Sequence, residues 1–152
     1  MLKGVNALLG AELLYVLASM GHGDELALVD CNFPASSTAR RLVVMPGIGI
    51  IAAGEAILSV MPLDEFVDEP VIRMAIVGAP AEIPPVQQEF HTLCESVDGR
   101  RIAFGSLSRL EFYERAKSTF VVVSTGETRP YGCFILTKGI IGGIVREQKQ
   151  DQ

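Results

Sequence analysis

Apolar residues recur at helical spacing at Leu9, Leu13, Val16, Leu17 and Met20, and Gly21 stands where a helix-ending glycine would. After a short polar break, the run 26–29 (LALV) reads as a buried strand ending at Asp30, and 31–37 (CNFPASS) has turn composition. A second strand over 41–45 leads through Pro46-Gly47 into an Ala- and Ile-rich helix over about 49–60, stopped by Pro62. Next come a strand over 71–77, a Pro-rich loop, a helix over about 85–96 and a shorter strand over 101–104. Ser108 and Glu111 form a capping box that opens the helix carrying FYERAK (112–117). The β-rich runs 119–125 and 132–138, joined by GETRPY (126–131), predict a hairpin. The pattern predicts an α/β fold: a single layered domain with a largely parallel sheet flanked by helices and a C-terminal β-hairpin. Beyond Gly139, residues 140–152 begin apolar and end polar, and the last part is expected to fray.

Composition sharpens this picture. The 152 residues suit one domain, and 49% hydrophobic against 20% charged residues excludes disorder. Mean hydropathy of +0.34 is high for a small monomer, so part of the apolar surplus is expected in contacts between copies of the chain. A net charge of −5 with scattered basic residues argues against nucleic acid as a partner. Cys31, Cys94 and Cys133 are an odd set without CxxC spacing, and with two histidines they are too sparse for a metal site. They read as reduced thiols of a cytoplasmic chain, and the N-terminus carries no signal-peptide pattern. The longest apolar stretch, 42–54, holds Pro46 and three glycines, so no membrane span is expected.

Candidate chemistry is concentrated in three places. His22, flanked by glycines in GHGD (21–24), is open to close approach and can exchange a proton near neutral pH. The alternative is a helix cap, with the ring on the last carbonyls. Asp30 lies at the carboxyl end of a buried strand, where open α/β sheets bind ligands, yet it also suits a turn-initiating Asp, and Asn32 shares that ambiguity. Tyr131 and Cys133, two apart, project to one face if the segment is a strand, with Gly132 between them leaving backbone accessible. They could hold a polyhydroxylated ligand or merely flank a hairpin. Arg109, in a first helical turn, is either a ligand contact or solvated, and His91, amid QQEFHT, reads as surface. Residues 47–52 match GxGxxA, but Pro46 disturbs the turn and no acidic residue ends a strand about 20 residues on, so a dinucleotide site is not expected.

Together these strings resemble one family, the sugar mutarotases that include L-fucose mutarotase and D-ribose pyranase. The similar pieces are MLKG, ELL (12–14), MGHGDE (20–25), Asp30 with NFP (32–34), PLD (62–64), FYERAK (112–117), STGE (124–127), YG (131–132) and KG (138–139). FYERAK with TGE and YG is more similar to the fucose branch. The resemblance implies that family's fold over 1–139, with 140–152 as an extension. It implies a cofactor-free isomerase interconverting the α and β anomers of a free monosaccharide, with L-fucose favoured. D-ribose pyranase-type exchange and a non-catalytic sugar-binding module are the alternatives. It also implies a ring-shaped homo-oligomer, commonly a decamer, with sites between subunits. By motif, His22 is the proton donor and Asp30, Arg109, Tyr131, Gly132 and Cys133 bind sugar. The family normally has Asn at the last position, and a thiol lacks the amide's paired donor and acceptor. His22 and Asp30 are eight residues apart, about 26 Å if extended. Either the glycines fold the segment back, or the two meet one sugar from different subunits.

Overall fold

Alternation along the central strands explains the architecture. Leu26 and Leu28 pack into one core while Ala27 and Val29 pack into another, and Val121 and Val123 alternate in the same way with Val122. A sheet apolar on both faces must be covered on both. The structure, a computed structural model, describes residues 1–142. Its strands are β1 (Glu25–Val29), β2 (Leu42–Met45), β3 (Val71–Met74), β4 (Phe104–Leu107), β5 (Val121–Thr125) and β6 (Phe134–Thr137), ordered β2-β5-β1-β6-β3-β4. β6 pairs antiparallel with β1 and β3, whereas the β2–β5, β1–β5 and β3–β4 pairs are parallel. The sheet is therefore largely parallel, with β6 alone reversed.

The helices are α1 (Ala11–Ser19), α2 (Ala35–Thr38), α3 (Ile50–Leu58), α4 (Pro85–Asp98) and α5 (Arg109–Lys117). The larger core joins α1, α3 and α4 to one sheet face, with the Phe90 ring stacked on Phe134 at 4.0 Å. The smaller core holds Phe33, Phe112 and Ala116 against the other face. α5 begins with half of its capping box: the Ser108 hydroxyl accepts from the Glu111 amide, while the Glu111 carboxylate accepts from that hydroxyl. At its far end Arg115 makes a bidentate pair with Glu25 at 3.0 and 2.8 Å, fastening FYERAK to the start of β1.

Four expectations need correction. Residues 119–125 and 132–138 form no hairpin: β5 spends both edges on parallel partners, β1 and β2, so the chain crosses the end of β1 and β6 pairs on its far side. The strand expected at 101–104 begins only at Phe104, because the Ile102 backbone is captured by α4. There the Ile102 amide donates to Glu95 at 2.9 Å and its carbonyl accepts from His91 at 2.7 Å. The turn at 31–37 includes the single-turn helix α2. Gly21 does not stop α1; the chain leaves the helix at Met20 in extended conformation, and the Lys138 ammonium accepts the duty of satisfying the Leu17 and Met20 carbonyls. Of residues 140–152, the fraying expected at the end lies outside the described residues.

Candidate functional site

Because β1, β3, β4 and β5 run the same way, their carboxyl ends share one edge of the sheet. Asp30 follows β1 there, Arg109 opens α5 just after β4, and the segment 126–133 crosses over before β6. Asp30, Asn32, Arg109, Tyr131 and Cys133 thereby line one pocket of about 200 Å³. That is smaller than the roughly 300–1,000 Å³ of sites for drug-sized molecules, and suits a small ligand. Phe33, Met74, Tyr113 and Pro130 give it an apolar wall.

Asp30 is buried and divides its oxygens. Oδ1 accepts from the Asn32 and Phe33 amides at 3.0 and 3.1 Å, while the Cys133 thiol donates to Oδ2 at 3.4 Å. Burial, then the adjacent Asp30 charge, pushes the Cys133 thiol well above its ordinary range, so it stays a protonated donor. Tyr131 and Cys133 share the pocket for a different reason from the one the spacing predicts. β6 starts only at Phe134, and Tyr131 is left-handed at φ 63°, which turns its phenol to accept from the Val77 amide at 3.2 Å. Gly132 lies between them, where a Cβ would press on Glu127 and the Arg129 carbonyl at 3.2 and 3.3 Å. An apolar hollow of about 380 Å³ adjoins through the shared Arg109 and is bordered by Val77 and Leu110, both well exposed.

His22 is at the opposite edge, before β1. Its Nε2 lies 2.9 Å from Oδ1 of Asp64, a carboxylate only 3% exposed, while the imidazole is 43% exposed. With Nε2 engaged by Asp64, Nδ1 is the ring nitrogen left to exchange a proton. The ring also rests on Phe66 at 5.0 Å. The helix-cap alternative fails, because Lys138 already occupies the α1 carbonyls. The KG pair sutures the two loops that meet here. The Gly23 amide donates to the Lys138 carbonyl at 2.9 Å, and the Gly139 amide to Pro62 at 2.8 Å. A Cβ at Gly139 would stand 2.6 Å from the Leu63 carbonyl oxygen. The glycines beside His22 do not fold the segment back on Asp30; β1 lies straight between them.

Two residues escaped the sequence reading. Asp64 stands in the sequence reading only as the last residue of PLD (62–64), with no role, and is joined to His22 only by the fold. Tyr113 stands four residues after Arg109, whose guanidinium lies 5.6 Å from its ring centre, so helical spacing could have found it. The GxGxxA stretch is closed to phosphate, because the Glu127 carboxylate already accepts from the Ile50 amide at the α3 N-terminus, at 3.2 Å. His91 serves α4 and β4 rather than a site. Among the described residues, no group of three His, Cys, Asp or Glu side chains could hold a metal ion.

Residues 3–141 match the model of the RbsD / FucU transport protein family. The chain is 46% identical to fucose mutarotase of Homo sapiens, over 92% of this chain and 94% of that protein. It superposes with a TM-score of 0.86 and 36% identity on the crystal structure of fucose mutarotase in complex with L-fucose from Streptococcus pneumoniae, covering 92% and 99% of the two chains. The structure of Bacillus subtilis RbsD complexed with D-ribose, at 24% identity and a TM-score of 0.67 over 93% and 99%, shares the fold.

Proposed function

The chain belongs to the RbsD / FucU transport protein family, and from that membership we propose that it is an isomerase, a mutarotase interconverting the α and β anomers of L-fucose. The observation that carries this reading is the convergence of Asp30, Arg109, Tyr131 and Cys133, from three separate stretches of chain, on one small pocket. The relatives named fucose mutarotase support the same substrate.

Anomer exchange opens the ring to the aldehyde and closes it on the other face. A proton goes to the ring oxygen as one leaves the anomeric hydroxyl, and closure reverses both transfers. With Asp64 holding Nε2–H, the imidazolium form of His22 gives its Nδ1 proton to the ring oxygen while the anomeric hydroxyl gives its proton to solvent water, and ring closure returns both protons. Asp30 accepts a sugar hydroxyl at Oδ2, Arg109 donates to others, and Tyr131 with the Gly132–Cys133 backbone orients the ring.

His22 and Asp30 occupy opposite edges of the sheet, so one sugar meets both only if they come from different copies of the chain. This supports a ring-shaped homo-oligomer with sites between subunits, in which the Val77–Leu110 border of the pocket faces the His22–Phe66 edge of a neighbour. We take the assembly to be a homodecamer, the functional unit to be 1–139 and the compartment to be the cytoplasm, where free thiols such as the exposed Cys31 persist.

Saturation-transfer NMR on free L-fucose tests the reading. The wild type is expected to exchange anomers, and His22→Ala to lose about 10²-fold or more of the rate. An unchanged rate in that variant would refute the mechanism. Exchange between the pyranose and furanose forms of D-ribose in preference to L-fucose would select the pyranase alternative, and sugar binding without exchange would select a binding module.

A further inference from the structure

We propose that Gln87, on α4 and outside the pocket, is a positioning residue for sugar binding: its buried amide sets the backbone of Tyr131, and Arg73 holds Gln87 in place. The inference rests on the reading of Tyr131 as a sugar contact. Tyr131 is the one non-glycine residue at positive φ among the described residues. A side chain in left-handed backbone persists only where its surroundings over-determine it, and such strain gathers at ligand clamps.

The surroundings here form a closed circuit of hydrogen bonds. Gln87 is 1% exposed, and its Nε2 spends both hydrogens, one on the Tyr131 carbonyl at 3.0 Å and one on the Met74 carbonyl at 2.7 Å. Met74 and Tyr131 both line the pocket. The Gln87 Oε1 accepts from Arg73 at 3.2 Å. Arg73 is itself buried and turns its other nitrogen to the Pro80 carbonyl at 2.9 Å, bracing the loop that follows β3. That same loop supplies the Val77 amide that donates to the Tyr131 phenol. Gln87 and Arg73 therefore grip Tyr131 from both ends, through its carbonyl directly and through its phenol by way of the loop. The neighbouring α4 residues facing the core, Val86, Phe90 and Cys94, are apolar. A leucine at position 87 would pack there without desolvating an amide, so the distinctive work of Gln87 is the pair of carbonyls it holds.

Gln87→Glu tests this directly. It keeps the size and an acceptor for Arg73 but has no N–H for either carbonyl. Gln87→Met removes the same donors without adding charge. Each is measured by saturation-transfer NMR for KM and kcat with L-fucose, and by hydrogen exchange of the Val77 amide. The expected result is KM raised about tenfold with kcat within about twofold, and Val77 exchanging about tenfold faster. Variants that lower Tm but leave KM and Val77 protection at wild-type values would overturn the proposal, because Gln87 would then be a packing residue only. Tyr131→Phe separates the two ideas. If it raises KM while the Gln87 variants do not, Tyr131 binds sugar but Gln87 does not position it. If Val77 protection falls in the Gln87 variants while KM holds in them and in Tyr131→Phe, the sugar contact itself is refuted.

Discussion

At Asp30 one carboxylate serves two purposes that the sequence presents as alternatives. Oδ1 is spent on the Asn32 and Phe33 amides, as a turn-initiating Asp would be. Oδ2 meets only the Cys133 thiol, a weak donor that leaves acceptor capacity turned into the pocket. Asp30→Asn separates these roles, since the amide oxygen can still cap the turn while the charge at the pocket is lost. Hydrogen bonds to a charged group are worth about 1.5–3 kcal/mol, so kcat/KM for L-fucose should fall roughly 10- to 100-fold with little loss of Tm. Saturation-transfer rates alongside thermal melts check both halves, and an unchanged kcat/KM would take Asp30 out of the sugar site. Asp30 was legible because an acidic side chain closing a buried strand has a stereotyped place. Asp64 was not, because its significance is a contact 42 residues away in the chain.

Elements were legible wherever the local pattern and the tertiary partner agreed, as in α4 and in the capped start of α5. They were misread where a distant partner decided. The 119–125 and 132–138 runs have hairpin spacing, but strand pairing is settled by which edges are free, and both edges of β5 are taken. The N-terminus of α3 shows the same principle in its charges. It carries no acidic residue in its own first turn, and Glu127 caps it from 77 residues away. Hydrogen bonding from the Arg129 guanidinium, aided by the Arg129 and Ile50 amides against the cost of burial, holds the Glu127 carboxyl below its usual range. A depressed carboxylate contributes stability above its unfolded pKa, near 4.5, and loses it as pH falls through the folded value. Glu127→Gln should therefore be less stable than the wild type at neutral pH, and the gap in Tm should narrow as the buffer is taken below about pH 4. A gap of constant width across that range would show that the charge contributes nothing.

At the scale of the whole molecule, the two clusters proposed as halves of one site lie at the two edges of one sheet. The pocket proposed for the sugar sits beyond the carboxyl ends of the parallel strands, and the His22–Asp64 pair lies before β1. The separation follows from topology, for β1 alone keeps His22 and Asp30 apart. Apolar side chains stand exposed at both places, Val77 and Leu110 by the pocket and Phe66 beside His22, as surfaces meant for a neighbour would require. They agree with the apolar surplus in the composition, which the sequence reading expects in contacts between copies. The consequence is complementation. His22→Ala and Asp30→Asn subunits each lack one half of every site in their own assemblies. Unfolded together and refolded as an equal mixture, they should regain about a quarter of the wild-type sites, because a random ring pairs an intact His22 with an intact Asp30 at that frequency. L-fucose exchange measured on the mixture, against each variant refolded alone, reads this directly. If both halves of each site belonged to one chain, the mixture would do no better than the average of the two variants.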